Sequence, residues 1–208
     1  MFKNFKQILV ERLINFIWRN KINKFFNDLI EILKLKKVSF FQLRLKNTSF
    51  KKKLLIGKKI KKICKKYNTK FLVNDDVRLA KELNSDGCHL GQKDMHILKA
   101  KKHLKNKIIG ITCHNSIKFA KSAIKNKADY LAFGAFYPSK TKKTKFRASL
   151  GLLKKITKIT KTPIVAIGGI NSDNYKKLLL NKANFLAISS YIWSNKKLKP
   201  LEAIEKLK

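Results

Sequence analysis

The chain has 208 residues, 44% of them hydrophobic, and carries a formal charge of +38 from 50 Lys and Arg against 12 Asp and Glu. That length and apolar content, with no Pro/Gly/Ser-rich linker, suit a single globular domain over residues 1–208. Three cysteines without CxxC spacing argue against a disulfide framework and a zinc site. No apolar run approaches the ~18 residues of a membrane span, and the first twenty residues are too broken by Lys, Glu, Arg and Asn for a signal peptide, so a cytoplasmic chain is expected.

Along the chain, short apolar runs alternate with longer lysine-studded amphipathic ones. The first strand is the least distinct, and "LINFIW" (13–18), ahead of a helix in "NDLIEILKLK" (27–36), is its best candidate. Clearer strands follow in "VSFFQLRL" (38–45), "FLV" (71–73), "GCHL" (87–90), "IIGIT" (108–112), "YLAFGAF" (130–136), "PIVAIGG" (163–169) and "NFLAISS" (184–190). Their unbroken hydrophobicity suits strands buried on both faces, as in a parallel sheet. Helices are expected near 50–66, 76–84, 94–105, 115–126, 149–160, 172–181 and 199–207, with Asn115 and Asn171-Ser172 as N-caps. Eight βα units in this length predict an α/β fold, a compact TIM (β/α)8 barrel. An open doubly wound sheet is the alternative, weakened because no glycine-rich dinucleotide fingerprint opens the first unit.

A TIM barrel carries its site at the C-terminal ends of its strands. Those ends hold Gln42, Arg44 and Lys46 on one face of an alternating run, then Asn74 and Asp75, then "HLGQKD" (89–94) with Asp94, then Thr112, then "YPSKTKK" (137–143). The last two strands end in Gly168-Gly169 and Ser189-Ser190, which describes a phosphate cup. Five of the 12 acids (Asp75, Asp76, Glu82, Asp86 and Asp94) crowd into residues 74–94. Carboxylates beside Arg44, Lys46 and Lys142 suggest a polyphosphate held through Mg²⁺, which takes one or two carboxylates plus phosphate oxygens and water.

In order and spacing, "FQLRLKN", "VNDDVRLAKELNSDGCHLGQKD", "IIGITCHN", "YLAFGAFYPSKTKK" and "PIVAIGGINSDN" with "LAISSYI" resemble the thiamine phosphate synthase family over residues 38–193. The resemblance implies condensation of 4-amino-5-hydroxymethyl-2-methylpyrimidine diphosphate with hydroxyethylthiazole phosphate, giving thiamine phosphate and pyrophosphate. By position, Gln42, Arg44, Lys46 and Asn74 resemble the pyrimidine-diphosphate contacts, and Asp75 and Asp94 the Mg²⁺ ligands. Thr112 stands where a serine usually touches the pyrimidine. Ser139, Lys140 and Thr141 resemble the turn at the thiazole phosphate, Lys142 the lysine on the diphosphate, and Gly169, Ser189 and Ser190 the phosphate cup. Arg44, Lys46 and Lys142 are then the groups that stabilise the leaving diphosphate. The chain departs from the family pattern at Ala135 (commonly Pro), Ser139 (Thr), Thr112 (Ser) and Leu45 (often Glu).

Simpler explanations exist for each feature. Taken singly, Asp75 and Asp94 suit helix caps as well as metal ligands. Asp76 suits a first-turn residue, Asp86 a turn ahead of a strand, Glu82 the surface, His89 a packed strand position and the cysteines the core. Only five basic residues are arginine (Arg12, Arg19, Arg44, Arg78 and Arg147), so the charge is read as a solvated lysine surface rather than a specific nucleic-acid footprint. The rival functions are a thiazole tautomerase of the same superfamily, with His89 as acid/base, and a basic nucleic-acid-binding protein. Partners are otherwise small molecules, with an isologous homodimer as the default assembly.

Overall fold

The computed structural model describes residues 8–14, 19–138 and 145–207. Its strands are β1 (Ile8–Ile14), β2 (Val38–Leu45), β3 (Lys70–Asn74), β4 (Gly87–Leu90), β5 (Ile108–His114), β6 (Tyr130–Gly134), β7 (Ile164–Ile167) and β8 (Phe185–Ile188). Between and after them come α1 (Arg19–Lys34), α2 (Phe50–Lys66), α3 (Val77–Glu82), α4 (Ile97–His103), α5 (Ile117–Lys125), α6 (Leu150–Thr157), α7 (Tyr175–Leu180), α8 (Ser190–Trp193) and α9 (Pro200–Glu205). All strands are parallel in sequence order, and β1 closes on β8 with Ile8 opposite Leu186. Closure selects the TIM barrel over the open sheet.

Strand β1 corrects the expected 13–18. It runs Ile8–Ile14, in register with β2 from Leu9 opposite Phe40 to Ile14 opposite Leu45. Glu11 and Arg12 interrupt its apolar run and hide it, while residues 15–18 lie outside the described residues.

Two hydrophobic layers follow from the two-residue period of the strands. Phe41, Leu43, Phe71, Val73, Cys88, Leu90, Ile109, Leu131 and Phe133 point outward under the helices. The intervening residues Leu72, Tyr130, Ala132, Val165 and Ala187 fill the barrel interior, with Phe40, Ile108, Ile167 and Phe185 packed on them. Helix α1 meets the outer layer through Phe25, Phe26, Leu29, Ile32 and Leu33, a stripe at helical spacing. Each such fully buried side chain contributes roughly 1.5–3 kcal/mol.

Two of the expected helix starts move. Ser116, not Asn115, caps α5, accepting from the N–H of Phe119 at 3.3 Å; Asn115 instead donates to the Arg147 carbonyl at 3.1 Å. Asn171 accepts from the N–H groups of Asp173 and Asn174, turning the chain before α7 starts at Tyr175. Helix α8 was not expected, being a single turn directly after β8. Trp193 anchors it, packing 5.3 Å from Phe25 and 6.5 Å from Phe41 between ring centres. No helix among the described residues is long and apolar enough to cross a membrane.

Candidate active site

The inward-facing row of each strand turns polar towards its C-terminal end. Above the apolar interior, Gln42, Arg44, Asn74, His89 and Thr112 continue that row and line a cavity of about 590 Å³. Seven strand ends, β2 to β8, contribute to its wall. Gln42 is buried, and its amide donates to the Asn74 side chain at 2.6 Å, linking β2 to β3.

Nine of the expected site residues line this one cavity: Gln42, Arg44, Asn74, Asp75, Asp94, Thr112, Gly169, Ser189 and Ser190. Lys46 is not on the lining. It follows the last residue of β2, is exposed, and precedes Asn47 in a left-handed turn (φ 52°), so strand alternation no longer carries it inward. Ser139, Lys140, Thr141 and Lys142 lie outside the described residues.

The acids of residues 74–94 separate by role. Asp76, not Asp75, is the cap of α3: it accepts from the N–H of Leu79 at 2.9 Å and pairs with Lys53 at 3.3 Å. Asp86 accepts from the N–H of Phe71 at 2.9 Å and from Lys70 at 3.1 Å, fixing the start of β3. Glu82 is exposed. Asp75 adopts a left-handed conformation (φ 64°) at the cavity rim. Asp94 sits ahead of α4, which starts at Ile97 with His96 as its cap. One oxygen of Asp94 takes the N–H of Gly91 at 2.7 Å, so the carboxylate is held by a tight loop. Burial pushes the Cys88 thiol well above the ordinary range, and the negative charges of Asp75, Asp76 and Asp94 push it further.

No group of three or more His, Cys, Asp and Glu among the described residues is arranged to hold a metal. A pair of carboxylates, by contrast, suits Mg²⁺, which completes its shell with water and phosphate oxygens. Asp75 and Asp94 line the same cavity as Arg44 and Asn74.

Across the mouth, Gly168 (φ 101°) and Gly169 (φ 65°) turn the chain after β7 in conformations that favour glycine. A Cβ on Gly169 would lie 2.3 Å from the Pro138 carbonyl, so the chain leaving β6 is packed directly against this turn. Ser189 stands at the N-cap position of α8 without a side-chain cap bond, and Ser190 begins the helix; both line the cavity with Gly168 and Gly169, as the short extra helix at a barrel phosphate site does.

Several lining residues carried no sequence signal. His114 follows a register shift in β5, and its ring stacks on Phe146 at 4.0 Å. Phe146 comes from a segment without periodicity. Tyr130 begins an apolar run and reads as core, yet its hydroxyl meets Nδ1 of His89 at 2.8 Å, while Nε2 meets the Thr112 hydroxyl at 2.7 Å.

A family model described as thiamine monophosphate synthase matches residues 14–192. A thiamine-phosphate synthase from Pelagibacter ubique is 67% identical, aligning 91% of this chain with 99% of that protein. Another, from Nitrosomonas eutropha, is 39% identical over 76% of this chain and 74% of its own length. Among solved structures, a thiamine phosphate pyrophosphorylase from Pyrococcus furiosus superposes with a TM-score of 0.83 at 31% identity, covering 98% of this chain and 95% of that one.

Proposed function

The chain belongs to the thiamine monophosphate synthase family, and from that membership we propose that its cavity condenses hydroxymethylpyrimidine diphosphate with a thiazole phosphate, releasing pyrophosphate. The supporting observation is a single cavity that gathers Arg44, Asp75 and Asp94 on one side and the Gly169, Ser189 and Ser190 cup on the other. One wall suits a diphosphate and the other a monophosphate, which is what two phosphorylated substrates require.

The bond between the pyrimidine methylene and the diphosphate oxygen breaks, its electron pair leaving with the diphosphate. The thiazole nitrogen then supplies the pair for the new C–N bond. Asp75 and Asp94 would hold Mg²⁺, which would supply positive charge where negative charge develops on the leaving diphosphate. Arg44 offers a planar fork of donors to the same oxygens. Lys142, by its place in the family motif, is assigned to that charge as well, and so is Lys46, which follows the end of β2. Gln42, bonded to Asn74, presents a fixed polar floor to the pyrimidine. The Ser139, Lys140 and Thr141 turn is assigned to the thiazole phosphate together with the cup.

No protein nucleophile is needed. The three cysteines are buried, and both nitrogens of His89 are engaged by Tyr130 and Thr112. That engagement weighs against His89 as the acid/base of a tautomerase. Purified chain mixed with both substrates and Mg²⁺ should form thiamine phosphate. Folded protein that yields none would contradict the assignment.

A further inference from the structure

Thr112 is held from two directions by the end of β4 and the loop that follows it. The Gln92 amide donates to its carbonyl, and Nε2 of His89 meets its hydroxyl at 2.7 Å. Both residues belong to "HLGQ" (89–92), and the same loop seats Asp94 through the Gly91 N–H. The clamp falls where β5 loses register with β6, between Thr112 and His114, so the ladder alone does not fix the strand there.

Beneath the clamp, the His89 ring lies nearly parallel to Tyr130 (16° between planes, centres 5.5 Å apart), and Nδ1 meets the tyrosine hydroxyl at 2.8 Å. Room for that tyrosine is made on β5 itself. A Cβ on Gly110 would lie 1.9 Å from the Tyr130 ring. His89 and Tyr130 are both nearly buried, 8% and 5% exposed, so their polar contacts are desolvated and directional. A hydroxyl bonded to a fixed imidazole loses the rotation it would have in water. The β-branched Thr112 is also stiffer at χ1 than a serine.

We propose that His89, oriented by Tyr130, is a positioning residue that fixes the Thr112 hydroxyl against the pyrimidine ring and acts through that hydroxyl rather than as an acid or base. The proposal rests on the function assigned above, with Thr112 as the pyrimidine contact. Because Gln92 and the Asp94 seat share the loop, the ring-facing hydroxyl and the metal-facing carboxylate are held in one frame.

A double-mutant cycle tests it. Thr112→Val and His89→Gln should each lower kcat/KM for the pyrimidine diphosphate about tenfold, the scale of one buried hydrogen bond. KM for the thiazole phosphate should stay unchanged. The combined variant should be no worse than Thr112→Val alone, whereas in a Thr112→Ser background His89→Gln should still cost about tenfold. Tyr130→Phe, which removes only a hydroxyl, should shift the same parameter in the same direction, and it carries the cycle if His89→Gln does not fold. Losses that add in the combined variant, or that fall equally on the thiazole phosphate, would overturn the proposal while leaving the enzyme's function intact. A folded wild type that makes no thiamine phosphate would overturn the function and the proposal together.

Discussion

Asp75 and Asp76 are neighbours with separate tasks, and substitution should separate them. Asp76→Ala removes the cap of α3 and the Lys53 pair, so it should lower stability by about 1 kcal/mol in urea unfolding with little change in either KM. Asp75→Asn or Asp94→Asn should leave the melting temperature near wild type but cut kcat about a hundredfold or more, the scale on which removing one transition-state contact acts. Raised Mg²⁺ should recover part of that loss, and an unchanged Mg²⁺ dependence would argue against both as ligands. Arg44→Ala should raise KM for the pyrimidine diphosphate by about 10–100-fold, the worth of a charge-assisted contact, and spare the thiazole phosphate. These residues were legible because strand ends are short and alternation is strict, so Gln42, Arg44 and Asn74 fell on one wall. The same alternation misplaced Lys46, since β2 stops at Leu45. Choosing between Asp75 and Asp76 as the cap needed the backbone, because adjacent acids look alike in sequence. The Tyr130–His89 contact spans 41 residues, and no local pattern carries such a pair.

At the level of elements, seven strands were evident because each is a short apolar run with a turn residue at its end. The first was not, since Glu11 and Arg12 break its run and its pairing partners lie far along the chain, in β2 and β8. Helix α8 is too short for helical periodicity, yet it forms one side of the proposed phosphate cup. The turn between β7 and α7 is tightly constrained, with two glycines at positive φ packed against the chain leaving β6. Gly168→Ala would force a Cβ to within 2.4 Å of the Ala135 Cβ at a φ of 101°, a strain of order 1–3 kcal/mol from the backbone alone. Differential scanning calorimetry should show a melting temperature several degrees lower. Gly169→Ala, which meets the Pro138 carbonyl, should in addition raise KM for the thiazole phosphate; an effect on the pyrimidine diphosphate alone would argue against the cup.

For the whole molecule, a charge of +38 sits on a scaffold whose barrel core is apolar and which sets two of its few acids, Asp75 and Asp94, at the mouth. Most of the lysines serve as polar helix faces, as across α2, and predict salt-sensitive attraction to any polyanion rather than selectivity. The interior also sets a pH limit. Burial raises the Cys113 thiol from 9.0 to about 12, so between those values the unfolded chain ionises while the folded chain keeps its proton. The unfolded state then binds fewer protons, and stability falls as pH climbs from about 9 towards 12. Urea midpoints at pH 8 and pH 10.5 should record that fall, and native protein at pH 8 should resist iodoacetamide at all three cysteines. Calorimetric titration with pyrophosphate, with and without Mg²⁺, asks whether Asp75 and Asp94 grip a diphosphate through a shared ion. Tight binding that needs Mg²⁺ and disappears in both Asp75→Asn and Asp94→Asn is the predicted result. Equal affinity in EDTA, or retention by both variants, would contradict it.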